Sequence, residues 1–348
     1  MLGYEYANAI CRLGHTMQLL HIGSDQPIRS LDDLSWMSFE DGIEHRFLDP
    51  QGSPPVDIPP ADAEGSVRAE GFRLADLAPY LPEAEFIAQY DEQLPLRHGM
   101  PFLFVQGYRT FVPSIEDATF RAPCPKVCIS RWLVDVGRQK GVPEDELVHI
   151  PNGLQHQKYR LVSPVEDRPP LVSSQYRIHR VSRPAEILKV LAEVKRRVPA
   201  LEATLFSTQP LVHETEPWMT VVTDPPQEFI VNEIYNRSRI YLCASRWEGF
   251  GAANVEAMAC GAALVTTSNG GSDEYAIHEE TALVCEPDDT AALADNVERL
   301  LQDDELRIRI AKQGMQYVRE TFDWDRSAEQ LVTFLDDYAA NPGRYQQR

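Results

Sequence analysis

Short apolar runs recur along this chain, each bounded by turn residues, and most lead into a stretch with helical spacing. Ile240–Cys243 (I-Y-L-C) and Ala263–Thr267 (A-L-V-T-T) read as buried strands. Between them, residues 252–260 have helical spacing, with Val255, Met258 and Ala259 on one face. Gly261 stands where a C-terminal cap glycine belongs. A unit of strand, glycine loop, helix and strand puts its loop at the carboxyl end of a parallel sheet, where open α/β folds bind ligands. The same alternation predicts further strands at 17–22, 43–48, 85–88, 102–106, 127–130, 148–150, 171–174, 203–206 and 218–222. Helices are expected at 4–13, closed by Gly14, and at 132–140, 187–198, 229–237, 293–301, 305–320 and 325–337. Repeated βα alternation argues for parallel sheets.

Residues 49–65 are rich in proline and glycine and read as a surface loop, and 161–170, with three prolines, as an interdomain linker. The 348 residues are enough for two domains, predicted at 1–162 and 171–321. No run of 18 apolar residues predicts a membrane span, and no basic start with an apolar core predicts a signal peptide. The net charge of −20 argues against nucleic acid as a partner and against general adsorption to anionic lipid. Residues 121–140 are the local exception, with Arg121, Lys126, Arg131, Arg138 and Lys140 against Asp135. A solvated helix face is the first reading of that run; a contact for a phosphorylated or lipid-linked acceptor is the second. Of the six cysteines, Cys124 and Cys128 lack the second half of a zinc site, while Cys243 and Cys260 fall in core elements as small hydrophobes. A reducing cytoplasm is the simplest compartment.

The loop after Ile240–Cys243 carries the most pointed chemistry. Gly249 and Gly251 let the backbone approach a ligand, and the free N–H groups of the following helix start suit an anion. Glu248 precedes the glycines and Glu256 follows them, with seven residues between. Two acceptor carboxylates flanking an anion site match a ligand with hydroxyls at both ends and phosphate in the middle, the layout of a nucleotide-diphosphate sugar. An ordinary βαβ turn with solvated glutamates is the plainer alternative.

The run E-G-F-G-A-A-N-V-E-A-M-A-C-G, followed by T-T-S-N-G-G-S-D-E-Y, resembles the donor-site signature of the retaining glycosyltransferase family 4. The resemblance covers 200–335 closely and the first 160 residues more loosely. It implies the GT-B fold, α/β, with two Rossmann-like, doubly wound parallel-sheet domains facing a cleft. The N-terminal domain would bind the acceptor and take back a C-terminal return helix within 325–348; the domain at 171–321 would bind the nucleotide-sugar donor. The first helix normally follows a central strand, and no such strand precedes Met1, so the first strand of the N-terminal domain is expected to be missing or the sheet rearranged.

The implied activity is that of a hexosyltransferase-type glycosyltransferase. It would move a sugar, with retention, from a nucleotide diphosphate to a glycan, lipid-linked or small-molecule acceptor in polysaccharide biosynthesis. Glu248 with Gly249, Phe250, Gly251 and Ala252 would hold the donor sugar, Glu256 the ribose, and the backbone at Asp224 the nucleobase. Arg177 matches the family arginine for the diphosphate; the lysine position holds Ser182, leaving Arg180 or Arg183 to supply the second charge. Gln106, Tyr108 and Arg109 would lie on the acceptor side. No metal or other cofactor is implied. The location implied is cytoplasmic, with at most peripheral contact at the inner face of a membrane. A GT-B-like binding or scaffolding subunit without catalysis is the alternative, favoured by Ser182 and opposed by Glu248 and Glu256. A sugar-nucleotide epimerase of similar fold is a third reading. The aspartate pairs at 32–33, 288–289 and 303–304 read as solvated, and His15, His98, His149 and His156 as surface or structural residues.

Overall fold

The computed structural model describes residues 2–21, 37–47, 86–90, 99–109, 113–179 and 181–345. The sequence features at Asp32-Asp33, 49–65, Glu85, His98 and Arg180 lie outside the described residues. The chain divides into two compact units: Met1–Ile129 with Val134–Ile150 and Trp324–Arg348, and Pro151–Asp323 with Ser130–Leu133.

The first unit begins with α1 (Leu2–Arg12), followed by β1 (Met17–His21), β2 (Ile43–Phe47), β3 (Phe86–Tyr90) and β4 (Met100–Val105). Next come α2 (Pro113–Arg121), β5 (Lys126–Cys128), α3 (Arg131–Gln139) and β6 (Leu147–His149). Among the described residues its strands form a parallel pair, β1-β2, and a parallel four-stranded sheet in the order β3-β4-β5-β6.

The second unit runs β7 (Leu171–Gln175), α4 (Pro184–Arg197), β8 (Glu202–Ser207), β9 (Met219–Thr223) and a short α5 (Gln227–Phe229). It continues with β10 (Ile240–Cys243), α6 (Ala252–Ala259), β11 (Ala263–Thr267), β12 (Ala282–Cys285), α7 (Thr290–Gln302) and α8 (Asp304–Thr321). The last helix, α9 (Trp324–Ala340), belongs to the first unit.

Each core follows from the spacing of apolar positions. In α1, Tyr6, Ala9 and Ile10 share one buried face. They meet Phe102 and Phe104 of β4 and Ala328, Leu331 and Phe334 of α9. In α4, Ile187, Val190, Leu191 and Val194 repeat at helical spacing and pack over the second sheet with Val172, Leu205, Leu242 and Val265. The aspartates at 289 and 303 are not merely solvated: each accepts a backbone N–H at the start of the helix it caps, Ala292 at 2.9 Å and Leu306 at 2.9 Å.

One helix departs from its expected form. Residues 229–237 were expected to be a regular helix, but Ile230–Tyr235 makes a wider π-helical turn. The cause lies in Asn236. Its N–H reaches back five residues to the carbonyl of Val231 at 3.0 Å, and its side-chain amide donates to the same oxygen at 3.0 Å. Lys126 also departs from expectation. It is not on a solvated face: its ammonium is buried and donates to Glu146 at 3.0 Å and to the carbonyl of Ala122. Arg138 pairs with Asp135 and Glu144, and Lys140 with Asp117.

Candidate functional site

The second sheet has the order β12-β11-β10-β7-β8-β9, all parallel. Strand order reverses between β7 and β10. A crevice opens at such a switch point beyond the carboxyl ends of the strands, and open α/β sheets bind ligands there. The loops that leave β7 and β10 at that point are 176–183 and 244–251. They carry Arg177, Ser182 and Arg183 on one side and Glu248–Gly251 on the other.

The loop after β10 is tied down at both ends. Glu248 exchanges backbone hydrogen bonds with the segment after β11, its N–H donating to Asn269 at 3.0 Å and its carbonyl accepting from Gly271 at 3.1 Å. Its half-buried carboxylate accepts from the Ser245 hydroxyl at 2.7 Å and lies 3.8 Å from the Arg177 guanidinium. Gly251 opens α6 with φ +82°, and a Cβ there would fall 2.4 Å from the Tyr275 hydroxyl. That buried hydroxyl accepts from Asn254 at 2.9 Å and donates to the Phe250 carbonyl at 2.9 Å. Gly249 and Phe250 are buried, and Ala252 is the exposed first residue of α6.

Glu256 sits in the second turn of α6. Its carboxylate accepts from the Tyr235 hydroxyl at 3.1 Å and from that of Tyr159, which also bonds Gln227. Burial, and then the neighbouring carboxylate, pushes both phenols far above the usual tyrosine range, so they stay protonated donors. Sequence reasoning did not single out Tyr159 or Tyr235. The signal for Tyr235 is the π-helical turn, which no periodicity displays.

Arg183 adopts a left-handed backbone, φ +54°, at the start of α4. Its guanidinium pairs with Glu186 at 3.2 Å and with Asp288 at 2.7 Å. Asp288 therefore is not a solvated turn residue. It too has a positive φ, +69°, and its other oxygen lies 3.3 Å from Nε of Arg246. Arg177 is exposed. Asp224 follows edge strand β9 with φ +50°; its N–H donates to the Ser207 carbonyl at 2.6 Å and its side chain is exposed.

Gln106, Tyr108 and Arg109 follow β4 in the first unit. The Tyr108 hydroxyl donates to Asp117 at 3.3 Å, and the Lys140 ammonium lies 5.3 Å from its ring centre. Arg109 is exposed with φ +63°. Of the histidines, His15 is exposed and His156 lies 3.4 Å from Asp323. Burial raises the Cys124 thiol to about 11 and those of Cys128 and Cys260 to about 12. Among the described residues no group of three or more His, Cys, Asp or Glu side chains could hold a metal ion, and no helix is long and apolar enough to cross a membrane.

Comparison with known proteins bears on the chain at two scales, a family model over part of the second unit and relatives over most of the length. Residues 219–317 match the family model described as glycosyl transferases group 1. The capsular polysaccharide biosynthesis glycosyltransferase CapM of Staphylococcus aureus is 23% identical over 282 residues, 72% of this chain and 74% of CapM. Higher identity, 35%, occurs over 107 residues, where this chain spans only 28% of the curated relative's length. Among solved structures, sucrose-phosphate synthase from Thermosynechococcus elongatus superposes with a TM-score of 0.73 at 16% identity, covering 97% of this chain and 92% of that one. The Anabaena HepE structure in complex with UDP-glucose gives 0.58 at 18%, covering 69% and 72%. The chain thus has the α/β GT-B fold of two Rossmann-like parallel-sheet units, and its residues 219–317 match the glycosyl transferases group 1 family.

Proposed function

We propose that this protein is a retaining, metal-independent glycosyltransferase that takes a hexose from a nucleotide-diphosphate sugar. One observation carries the reading: Glu248 and Glu256 flank the N-terminus of α6 at the switch point of the second sheet, and each carboxylate is fixed by hydroxyl donors. Glu256, held by Tyr159 and Tyr235, keeps lone pairs for the ribose hydroxyls. The backbone after β9 at Asp224 borders the nucleobase. Glu248, Gly249, Phe250, Gly251 and Ala252 hold the sugar ring, and Arg177 and Arg183 neutralise the diphosphate as it leaves. Positive side chains and a helix start then do the work that a divalent cation does elsewhere. The donor class is supported by HepE, whose structure holds UDP-glucose.

Gln106, Tyr108 and Arg109 are assigned to the acceptor, a glycan or lipid-linked sugar of polysaccharide biosynthesis handled at the cytoplasmic face of a membrane. The likeness to CapM favours that class. The test is a thermal-shift screen over UDP-, GDP- and ADP-sugars, followed by NMR of the product anomer. A rise in melting temperature with one donor and a product of unchanged anomeric configuration are expected. No shift with any donor would overturn the reading. Donor binding without hydrolysis or transfer would favour the scaffolding alternative.

A further inference from the structure

Two arginines share one carboxylate at the switch point. Asp288 takes Arg183 on one oxygen, at 2.7 Å, and Arg246 on the other, at 3.3 Å. The loops that carry them are joined by the backbone as well, the N–H of Arg246 donating to the Val181 carbonyl at 2.7 Å. Asp288 takes one N–H group on each guanidinium, Glu186 lies 3.2 Å from the same Arg183 nitrogen, and a guanidinium has five N–H groups, so donors remain on both arginines.

Two further polar atoms lie in the same loop. The hydroxyl of Ser182, in a residue only 4% exposed, has no hydrogen-bond partner, and neither has the buried Nε of Arg183. Buried donors without acceptors are rare in folded proteins, and a ligand oxygen is one way to satisfy them. Adjacent unpaired donors, two guanidinium groups on a common carboxylate and the start of α4 form a cradle for a doubly anionic group.

We infer that Arg246 is a donor-diphosphate ligand that supplies the positive charge Ser182 cannot, and that Asp288 is a positioning residue holding Arg246 and Arg183 toward that group. The inference rests on the donor reading above and names a residue that reading did not include. Asp288 also lies in the left-handed backbone region, which costs energy for a residue other than glycine and marks a conformation the surrounding structure imposes.

The test uses the full chain and whichever of UDP, GDP and ADP raises the melting temperature of the unaltered protein most. Affinity for that nucleotide is measured by titration calorimetry, and for the matching nucleoside by competition. Arg246 is 53% exposed, so Arg246→Ala should fold, and its effect sits at the lower end for a charge-assisted hydrogen bond. A roughly tenfold loss of nucleoside-diphosphate affinity is expected, with nucleoside affinity unchanged. Asp288→Asn keeps a residue that tolerates the left-handed region. It should lower diphosphate affinity and leave the nucleoside unaffected, and in combination with Arg246→Ala the two losses should sum to less than additive, the remainder acting through Arg183. Arg246→Lys should recover part of the loss.

Unchanged diphosphate affinity in Arg246→Ala would overturn the inference while leaving the donor reading in place. Equal losses for nucleoside and diphosphate, or fully additive effects of the two substitutions, would also overturn it. Failure of all three nucleotides to bind the unaltered protein would remove the donor reading and this inference together.

Discussion

Replacing Glu256 by Gln preserves the shape of the side chain and removes one of the two acceptor oxygens. The carboxylate accepts from the phenols of Tyr235, at 3.1 Å, and Tyr159. A glutamine amide offers one acceptor oxygen and two donor hydrogens, so one phenol is left facing an N–H group. Tyr235 is fully buried, and leaving its hydroxyl unsatisfied costs about 1–3 kcal/mol. A domain of ordinary stability, about 5–15 kcal/mol, survives that loss. In a unit of this size each kcal/mol lowers the melting temperature by roughly 2–4 °C.

Donor binding should lose more. A charge-assisted bond donated by a ribose hydroxyl to Glu256 would contribute about 1.5–3 kcal/mol, or roughly 10- to 150-fold in affinity. Tyr235→Phe separates the two effects. It removes a donor and leaves the charge, so it should lower stability by about 1 kcal/mol and change donor affinity less than Glu256→Gln does. Calorimetric titration with the bound nucleotide diphosphate and thermal melts on both variants supply the comparison. An unchanged dissociation constant in folded Glu256→Gln refutes the ribose assignment. An equal affinity loss in Tyr235→Phe would make Glu256 part of the scaffold and not a ligand.

Glu248→Ala should lower the transfer rate while leaving nucleoside-diphosphate binding nearly intact; equal loss of both would show that the contacts to Ser245 and Arg177 are structural. Lys126→Ala leaves Glu146 buried without its partner and should destabilise the first unit by about 3–5 kcal/mol in denaturant melts, and a loss below about 1 kcal/mol would count against that account. Gly251→Ala carries a left-handed backbone penalty of about 1–2 kcal/mol as well as the collision with Tyr275, so a variant that melts and binds donor normally would contradict the loop geometry. The folded thiols of Cys124, Cys128 and Cys260 titrate at about 11 to 12, above their ordinary 9.0, so their contribution to stability is full below pH 9 and is lost as pH rises through 11–12. Cys128→Ala should flatten the fall in melting temperature between those limits, and native thiols that react at pH 8 as fast as unfolded ones would argue against their burial.

Much of the second unit was legible because its apolar periodicity is strong. Ile240–Cys243 and Ala263–Thr267 were placed residue for residue, and α4, α7 and α8 were found with ends displaced by a few residues. What escaped was set by tertiary context. Helix α2 and strand β12 went unassigned, the latter because A-L-V-C has one β-branched residue and no aromatic, where the equally short I-Y-L-C has one of each. The π-helical turn could not be foreseen from spacing, since it depends on where the amide of Asn236 finds its partners: the Val231 carbonyl behind it and the N–H of Val162, 74 residues away.

The candidate site divides along the same line. Two glycines near α6 have a geometric reason to be glycine: Gly251 for its positive φ, and Gly271 because a Cβ would meet the Phe250 backbone at 2.7 Å. Asp288 was read as a solvated turn residue because its partners, Arg183 and Arg246, are distant in sequence and meet it only once the sheet has formed. Backbone strain recovers what spacing missed. Among the described residues, Arg109, Arg183, Asp224, Glu279 and Asp288 are the non-glycine positions with positive φ. Three of them, Arg109, Arg183 and Asp224, were given site roles by the family resemblance, and Asp288 holds one of those three. Such conformations persist only where surrounding contacts impose them, and they concentrate where ligands are held. Glu279 has an ordinary explanation, an ion pair with Arg299 at 2.6 Å in the turn before β12. The other four follow the carboxyl ends of β4, β7, β9 and β12, the end of a parallel sheet at which open α/β folds bind ligands.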